Sequence, residues 1–160
     1  MSDYSTTTVE MTRLIQAPVE MVFDAWLIPD VMRKWLFTTE ETNKSATNEP
    51  VEGGTWEIID HREGTDYRGI GSYVKMERPT TLVFTFKMPQ FSESEDTIQV
   101  TFAEQENNCL MTFTHEIIVP HEPEWTKKDI EKALHEYNIQ TEQGWSMMFD
   151  NLKQIVEVSY

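Results

Sequence analysis

The sequence has little cysteine and little positive charge. Cys109 is the only cysteine among 160 residues, which excludes an intramolecular disulfide and zinc sites built from several thiolates. Lys and Arg total 13 against 28 Asp and Glu, so the net charge is −15. Because this charge repels nucleic acid and anionic membrane surfaces, neither is predicted as a partner.

The sequence also lacks long hydrophobic runs. No segment approaches the roughly 20 apolar residues of a membrane span, so no membrane insertion is predicted. Residues 1–8 have neither the basic start nor the apolar run of a signal peptide. We therefore expect a cytoplasmic protein.

Length and composition favour one globular domain. Hydrophobic residues make up 39% of the chain and aromatic residues 11%. A chain of this size buries roughly 70% of its unfolded surface, enough for a core without disulfides or metals. We expect a single domain over residues 1–160, with residues 1–7 flexible.

The first third of the chain predicts one strand and two short helices. Alternating residues favour a strand over 8–16. Pro18 then suits the first turn of a helix whose apolar stripe includes Trp26, and a second helix after Pro29 carries Trp35. We expect both helices to pack under the terminal helix. The polar residues 38–54 predict a long exposed loop, and we expect its residues 38–52 to be mobile and to gate a pocket.

Five further strands and a long helix follow. Each strand segment alternates apolar and polar residues, which is typical of an antiparallel sheet with one buried face; the segments are TWEIID, residues 67–76, LVFTFK, TIQVTF and LMTFTHEI. Thr126 and Asp129 resemble a helix capping box, after which an apolar stripe runs to the C-terminus. The polar stretch ending at Gly144 predicts a kink, a break or a close backbone contact. The predicted architecture is α+β, with a curved antiparallel sheet of about six strands around a long C-terminal helix.

The order of these motifs resembles a known family. The opening RLIQAPVEMVFDAWLIPDVMRKWL, the pair Gly53-Gly54 before Trp56, the segments YVKMERPTTLVFTF and LMTFTHE, and Gly144-Trp145 in the last helix carry the likeness. Together they resemble the activators of the heat-shock-protein-90 ATPase, in the START-like or SRPBCC superfamily, over roughly residues 9–157.

The resemblance implies a helix-grip fold with a cavity between the sheet and the terminal helix. Members of the superfamily use such cavities for lipids, sterols, polyketides and plant hormones, and some are cyclases or hydrolases. The family itself includes a eukaryotic co-chaperone domain and small stand-alone bacterial proteins. We expect no companion domain of the kind found in a full co-chaperone.

Aromatic and methionine side chains on the predicted inner faces are the candidate ligand site. Pockets are typically lined by such residues with a few polar groups, and Tyr73 and His115 are suitable polar groups. The alternative is that the same side chains fill a solid core. The predicted cavity residues are Trp56, Ile58, Tyr73, Phe84, Phe86, Phe102, Met111, Phe113, His115, Trp145 and Met148.

Catalytic and metal sites are not predicted. His115 is either a hydrogen-bonded core histidine, a ligand anchor or a proton-transfer group. Asp60 is the better inward carboxylate on its strand, whereas Cys109 is interpreted as structural and His121 as part of a solvated loop. No cofactor is predicted.

Three functions follow from the sequence. The favoured one is a binding protein for a lipid-like or aromatic small molecule. The first alternative is a chaperone-associated or stress-response protein that contacts another protein. The second is an enzyme that uses His115 and a carboxylate such as Asp60 in the same cavity.

Overall fold

An antiparallel sheet curves around one long helix in the computed structural model, which describes residues 3–158. The elements in chain order are β1 (Tyr4–Ile15), α1 (Val19–Ala25), α2 (Pro29–Trp35), β2 (Asn43–Asn48), β3 (Thr55–Arg62), β4 (Thr65–Glu77), β5 (Thr81–Phe86), β6 (Asp96–Gln105), β7 (Asn108–Pro120) and α3 (Lys127–Val158). The strands lie in the order β1-β7-β6-β5-β4-β3-β2. The predicted helix-grip fold is confirmed.

The sheet has seven strands among the described residues rather than the six predicted. The additional strand, β2, lies inside the predicted 38–54 loop and pairs with β3 from Asn43 opposite Asp60 to Asn48 opposite Trp56. Its sequence NKSATN has no apolar alternation because β2 is an edge strand with no fully buried residue. A polar edge strand of this kind gives no periodic signal.

β1 begins earlier in the chain than predicted. Residues 4–7, expected to be flexible, pair with the end of β7, from Tyr4 opposite Pro120 to Thr7 opposite Ile117. Threonine suits a half-exposed strand, and β7 extends far enough to hydrogen-bond with this segment. Residues 1 and 2, which belong to the same prediction, lie outside the described residues.

α3 runs as one helix of 32 residues, so the helix has no break near Gly144. Its polar middle is anchored instead: Asn138 Nδ2 donates to Thr7 Oγ1 and to the Thr8 carbonyl, both at 2.9 Å. A Cβ at Gly144 would meet nothing within 4 Å, so no close backbone contact explains this glycine. None of the helices in the described part of the chain combines the length and hydropathy needed to cross a membrane.

The predicted capping box of α3 is present. Asp129 N–H donates to Thr126 Oγ1 at 3.2 Å, and Thr126 N–H donates to Asp129 Oδ2 at 2.9 Å. These reciprocal bonds satisfy backbone donors that the first helical turn leaves open. The Thr126 hydrogen bonds also lower the pKa of the Asp129 carboxyl.

α1 and α2 close one end of the grip with buried aromatic rings. Trp26 and Trp35 pack edge to face with centroids 4.7 Å apart, and Phe149 of α3 packs on both. Trp35 Nε1 donates to the Ala25 carbonyl at 3.0 Å, which ties α2 to the end of α1. All three rings are at most 1% exposed, so this end is a solid aromatic core.

Candidate functional site

An apolar cleft of about 330 Å³ opens at the other end of the grip, beside the middle of α3. Its walls come from the end of β5, the segment 87–96, the second half of β7 and one face of α3. The lining side chains include Phe37, Phe86, Phe91, His115, Trp145 and Met148. The cleft volume falls within the range of small-molecule sites.

Strand pairing and helix periodicity bring these residues together. Phe86 lies opposite Asp96 in the β5–β6 register, and His115 lies opposite Ile98, two residues along the same face of β6. On α3, Thr141, Trp145 and Met148 have i, i+4, i+7 spacing and therefore share one face of the helix. The cleft is therefore built mainly on regular structure.

A buried chain of hydrogen bonds fixes the wall of the cleft. Trp145 Nε1 donates to His115 Nδ1 at 3.0 Å, and His115 Nε2 lies 2.9 Å from Asp96 Oδ2. The other Asp96 oxygen accepts the Ile118 backbone N–H at 3.0 Å. Since an indole N–H can only donate, His115 Nδ1 accepts and its ring proton resides on Nε2, directed at Asp96.

This arrangement occupies both nitrogens of His115. The ring is 3% exposed, and neither nitrogen is free to take a proton from a bound molecule. These hydrogen bonds hold the His115 ring against Trp145 on one side and Asp96 on the other. Asp96 was not singled out from the sequence, although it lies two residues before Ile98 and therefore on the same face of β6.

Asp60, the carboxylate proposed from the sequence as the partner of His115, has other partners. It accepts hydrogen bonds from Thr38 Oγ1 at 2.8 Å and from Thr42 Oγ1 at 2.5 Å, and pairs with Arg62 at 2.6 Å. Asp60 is 3% exposed, as the inward assignment predicts. The carboxylate therefore anchors the segment that follows α2.

Phe37, Phe91 and Tyr137 are aromatic residues of the cleft that the sequence did not predict as part of it, and Phe37 is the one that stacks on other aromatic rings of the site. Its half-buried ring is nearly parallel to the rings of Phe86 (centroids 4.4 Å apart, 4° between planes) and Trp56 (5.7 Å, 9°), and meets Trp145 edge to face at 5.1 Å. Phe37 directly follows the α2 stripe but lies outside any periodic element. The only local signal is its aromatic character.

The eleven predicted cavity residues divide into three groups. Phe86, His115, Trp145 and Met148 line the cleft. Trp56, Tyr73 and Phe84 line a small internal void. The remaining four are buried in the hydrophobic core: Ile58, Phe102, Met111 and Phe113.

Trp56, which stacks on Phe37 and Phe86, also lines an internal void of about 10 Å³. That is room for roughly one water molecule. The residues around it are Trp26, Met32, Leu36, Trp56, Tyr73 and Phe84. Tyr73 is 3% exposed, and burial raises its pKa to about 12, against the opposing effect of a hydrogen bond from Asn48. The space between sheet and helix is therefore largely filled by side chains.

The other candidate groups have structural surroundings. Cys109 is fully buried, and burial raises the pKa of its thiol to about 11, so it is poorly suited to nucleophilic chemistry. His121 is half-buried rather than solvated, because its Nε2 lies 2.7 Å from Ser5 Oγ and its ring contacts Trp125. No group of three His, Cys, Asp or Glu residues within 3–158 is arranged to hold a metal ion.

Solved structures share this architecture across nearly the whole chain. Protein SA2116 of unknown function from Staphylococcus aureus superposes with a TM-score of 0.91 at 28% identity, covering 98% of this chain and 97% of that one. An AHSA1-like protein from Aeromonas hydrophila gives 0.70 at 20% identity, covering 96% and 94%. Ara h 8.0201 gives 0.69 at 12% identity, covering 96% and 99%. The last two likenesses concern the fold alone.

The sequence comparisons agree with the fold. No curated protein matches the chain. The family model described as "Activator of Hsp90 ATPase homolog 1-like protein" matches residues 16–157. This range runs from the end of β1 to the last turn of α3. The chain therefore belongs to the family of Activator of Hsp90 ATPase homolog 1-like proteins.

Proposed function

We propose that the protein binds a small, neutral, apolar molecule in the cleft beside α3. The observation that carries the proposal is the cleft itself: about 330 Å³, walled by aromatic and methionine side chains, with a positioned tryptophan in its wall. Of the residues predicted from the sequence, Phe86, His115, Trp145 and Met148 are placed to form it. Membership of a family with the helix-grip fold supports the same function.

The charge of the protein restricts the ligand. A net charge of −15 disfavours anionic guests at long range. Lys87, a cation in the cleft wall, lies 3.6 Å from Glu93 and is therefore partly neutralised. Aromatic walls favour flat aromatic guests, which stack or pack edge to face with the rings. A neutral fused-ring molecule combines these properties.

The two alternatives from the sequence receive less support. An enzyme would need a free acid or base at the cleft, and the histidine there has both nitrogens engaged by Trp145 and Asp96. A chaperone partner fits the family, but no specific contact surface within residues 3–158 favours it. Binding of a small molecule is the function that the geometry supports best.

Two neighbouring methionines of α3 offer a matched test. Met148 lines the cleft, whereas Met147 is 70% exposed. 1-Naphthylamine, a neutral fluorescent probe, is titrated into the wild type and into the variants Met148→Trp and Met147→Trp, and urea denaturation is measured on all three. We expect saturable binding of the probe to the wild type. Binding to Met148→Trp should be at least about tenfold weaker, because the new ring fills the cleft. Binding to Met147→Trp should be unchanged.

Two results would contradict the proposal. One is the absence of saturable binding to the wild type. The other is unchanged binding to Met148→Trp together with a loss of about 1–3 kcal/mol in its unfolding free energy, as expected when a filled core is overpacked.

A further inference from the structure

Phe37 has a strained backbone that its surroundings hold in place. Four non-glycine residues within the described chain have positive φ. Glu63, Glu106 and Asn107 lie in two-residue hairpin turns, where positive φ matches the twist of the strands. Phe37, at φ 59°, lies outside these turns, and for a bulky side chain this conformation is unfavourable.

Helix capping does not explain this conformation. A left-handed residue after a helix usually donates its N–H to a carbonyl of the last turn. The Phe37 N–H instead donates to Met148 Sδ, at 3.1 Å, across the cleft wall. On the other side, the next residue, Thr38, is bonded through its hydroxyl to buried Asp60. Strain persists where the surroundings fix it from two sides, and such positions often have a function.

The Phe37 ring contacts residues of both the cleft and the internal void. Leu36 contributes to the wall of the internal void, whereas Phe37 contributes to the wall of the cleft, so the chain passes between the two spaces at this point. Trp56 contacts the Phe37 ring and also lines the void. Removing the Phe37 ring would therefore extend the cleft inward towards Trp56.

We propose that Phe37 limits ligand length: its ring closes the inner end of the cleft, so in the wild-type protein an additional ring adds little to the binding of a compact, flat two-ring molecule. This inference rests on the proposed function, because it concerns the same cleft. The strained backbone places the ring against Phe86 and Trp56, and the bond to Met148 couples this placement to the wall on α3.

The test uses two probes that differ by one phenyl ring. 1-Naphthylamine and N-phenyl-1-naphthylamine share a fluorophore, so the ratio of their dissociation constants isolates the contribution of the added ring. Both are titrated into the wild type, Phe37→Ala, Phe37→Gly and Phe91→Ala. Phe91 also lines the cleft but is 67% exposed. Phe37→Gly removes both the ring and the backbone strain, so this variant is used for the test if Phe37→Ala folds poorly.

In the wild type we expect the added phenyl ring to improve binding by less than about threefold. In both Phe37 variants it occupies the vacated space and improves binding by about a further tenfold, the factor for roughly 55 Å² of additional apolar burial. In Phe91→Ala the two affinities change together and their ratio stays that of the wild type.

The outcomes separate the two proposals. If 1-naphthylamine does not bind the wild type, the proposed function fails. If it binds but the ratio is the same in the wild type and both Phe37 variants, the function stands and the inference about Phe37 is wrong. An equal rise in the ratio of the two dissociation constants in Phe91→Ala also overturns the inference about Phe37, because any enlargement of the cleft would then have the same effect.

Discussion

The two ends of the grip use the same kinds of side chain with opposite results. At the closed end, Trp26, Trp35 and Phe149 are at most 1% exposed and pack on one another. At the open end, Phe37 and Phe86 are only half-buried and line a cleft. The difference is in the elements that cover the aromatic rings. α1 and α2 cover the rings at the closed end, whereas the segment 87–96 leaves the rings at the open end partly exposed to solvent. Aromatic content alone therefore does not distinguish a core from a binding site.

The largest difference between the two ends is expected in stability. Trp35→Ala removes a fully buried ring and its hydrogen bond to Ala25, and should lower the unfolding free energy by about 3–5 kcal/mol. Phe91→Ala at the open end should change it by less than ~0.5 kcal/mol. Urea denaturation measures both. Similar losses in the two variants would remove the contrast between the ends.

A smaller loss of unfolding free energy is expected at His115, at the boundary between the two ends. His115→Leu leaves Trp145 Nε1 without its acceptor and Asp96 Oδ2 without its donor. A buried polar group without a partner costs about 1–3 kcal/mol, so we expect a loss of that size and an altered near-ultraviolet circular dichroism of Trp145. The exposed His135 provides the control, since His135→Leu should change neither measurement. Equal effects from both substitutions would mean that the buried chain contributes nothing.

Alkaline pH should reveal the burial of Cys109, which lies in the core at the start of β7. The folded thiol has its pKa raised from 9.0 to about 11, so between these values the unfolded chain loses a proton that the folded chain keeps. Stability from this group is complete below pH 9 and is lost as pH rises towards 11. At pH 10, about one unit above the ordinary pKa of the thiol, the expected loss of unfolding free energy is roughly 1–2 kcal/mol.

Denaturation midpoints of the wild type and Cys109→Ala, measured from pH 8 to 10 in steps, test this expectation. Tyr73, whose pKa burial raises from 10.0 to about 12, contributes equally to both proteins and so does not affect the comparison. The wild type should lose stability more steeply than Cys109→Ala. Parallel curves would show that the thiol ionises equally well in the folded and unfolded states.

The smallest effect is expected on α3, at the edge of the cleft. Gly144→Ala places a methyl group where nothing lies within 4 Å, in the interior of an uninterrupted helix. Because alanine has the higher helix propensity, the variant should be more stable by about 0.5–1 kcal/mol. Thermal denaturation measures the change. A loss of stability would instead favour the close backbone contact that the sequence suggested.

Periodic elements were predictable and isolated positions were not. The strands that bury one face, the two short helices and the stripe of α3 follow from the spacing of residues such as Val9, Trp26 and Trp145. β2 has no buried stripe, so its polar sequence gave no signal. Asp96 was accessible by extending the β6 alternation by two residues. Phe37 was not, because its position depends on a left-handed backbone and on Met148, 111 residues away in the chain.

The pairing of β1 with β7 has a consequence for how the chain folds. β1 is an edge strand whose one neighbour in the sheet is β7, separated from it by most of the chain. The remaining strands form consecutive hairpins that can pair locally as they are synthesised. β1 must wait for β7, and closing so large a loop slows folding. α3, whose Asn138 binds Thr7 and Thr8, is synthesised later still. Of the seven strands in residues 3–158, β1 therefore waits longest for its partner, with its edge open to association with other chains.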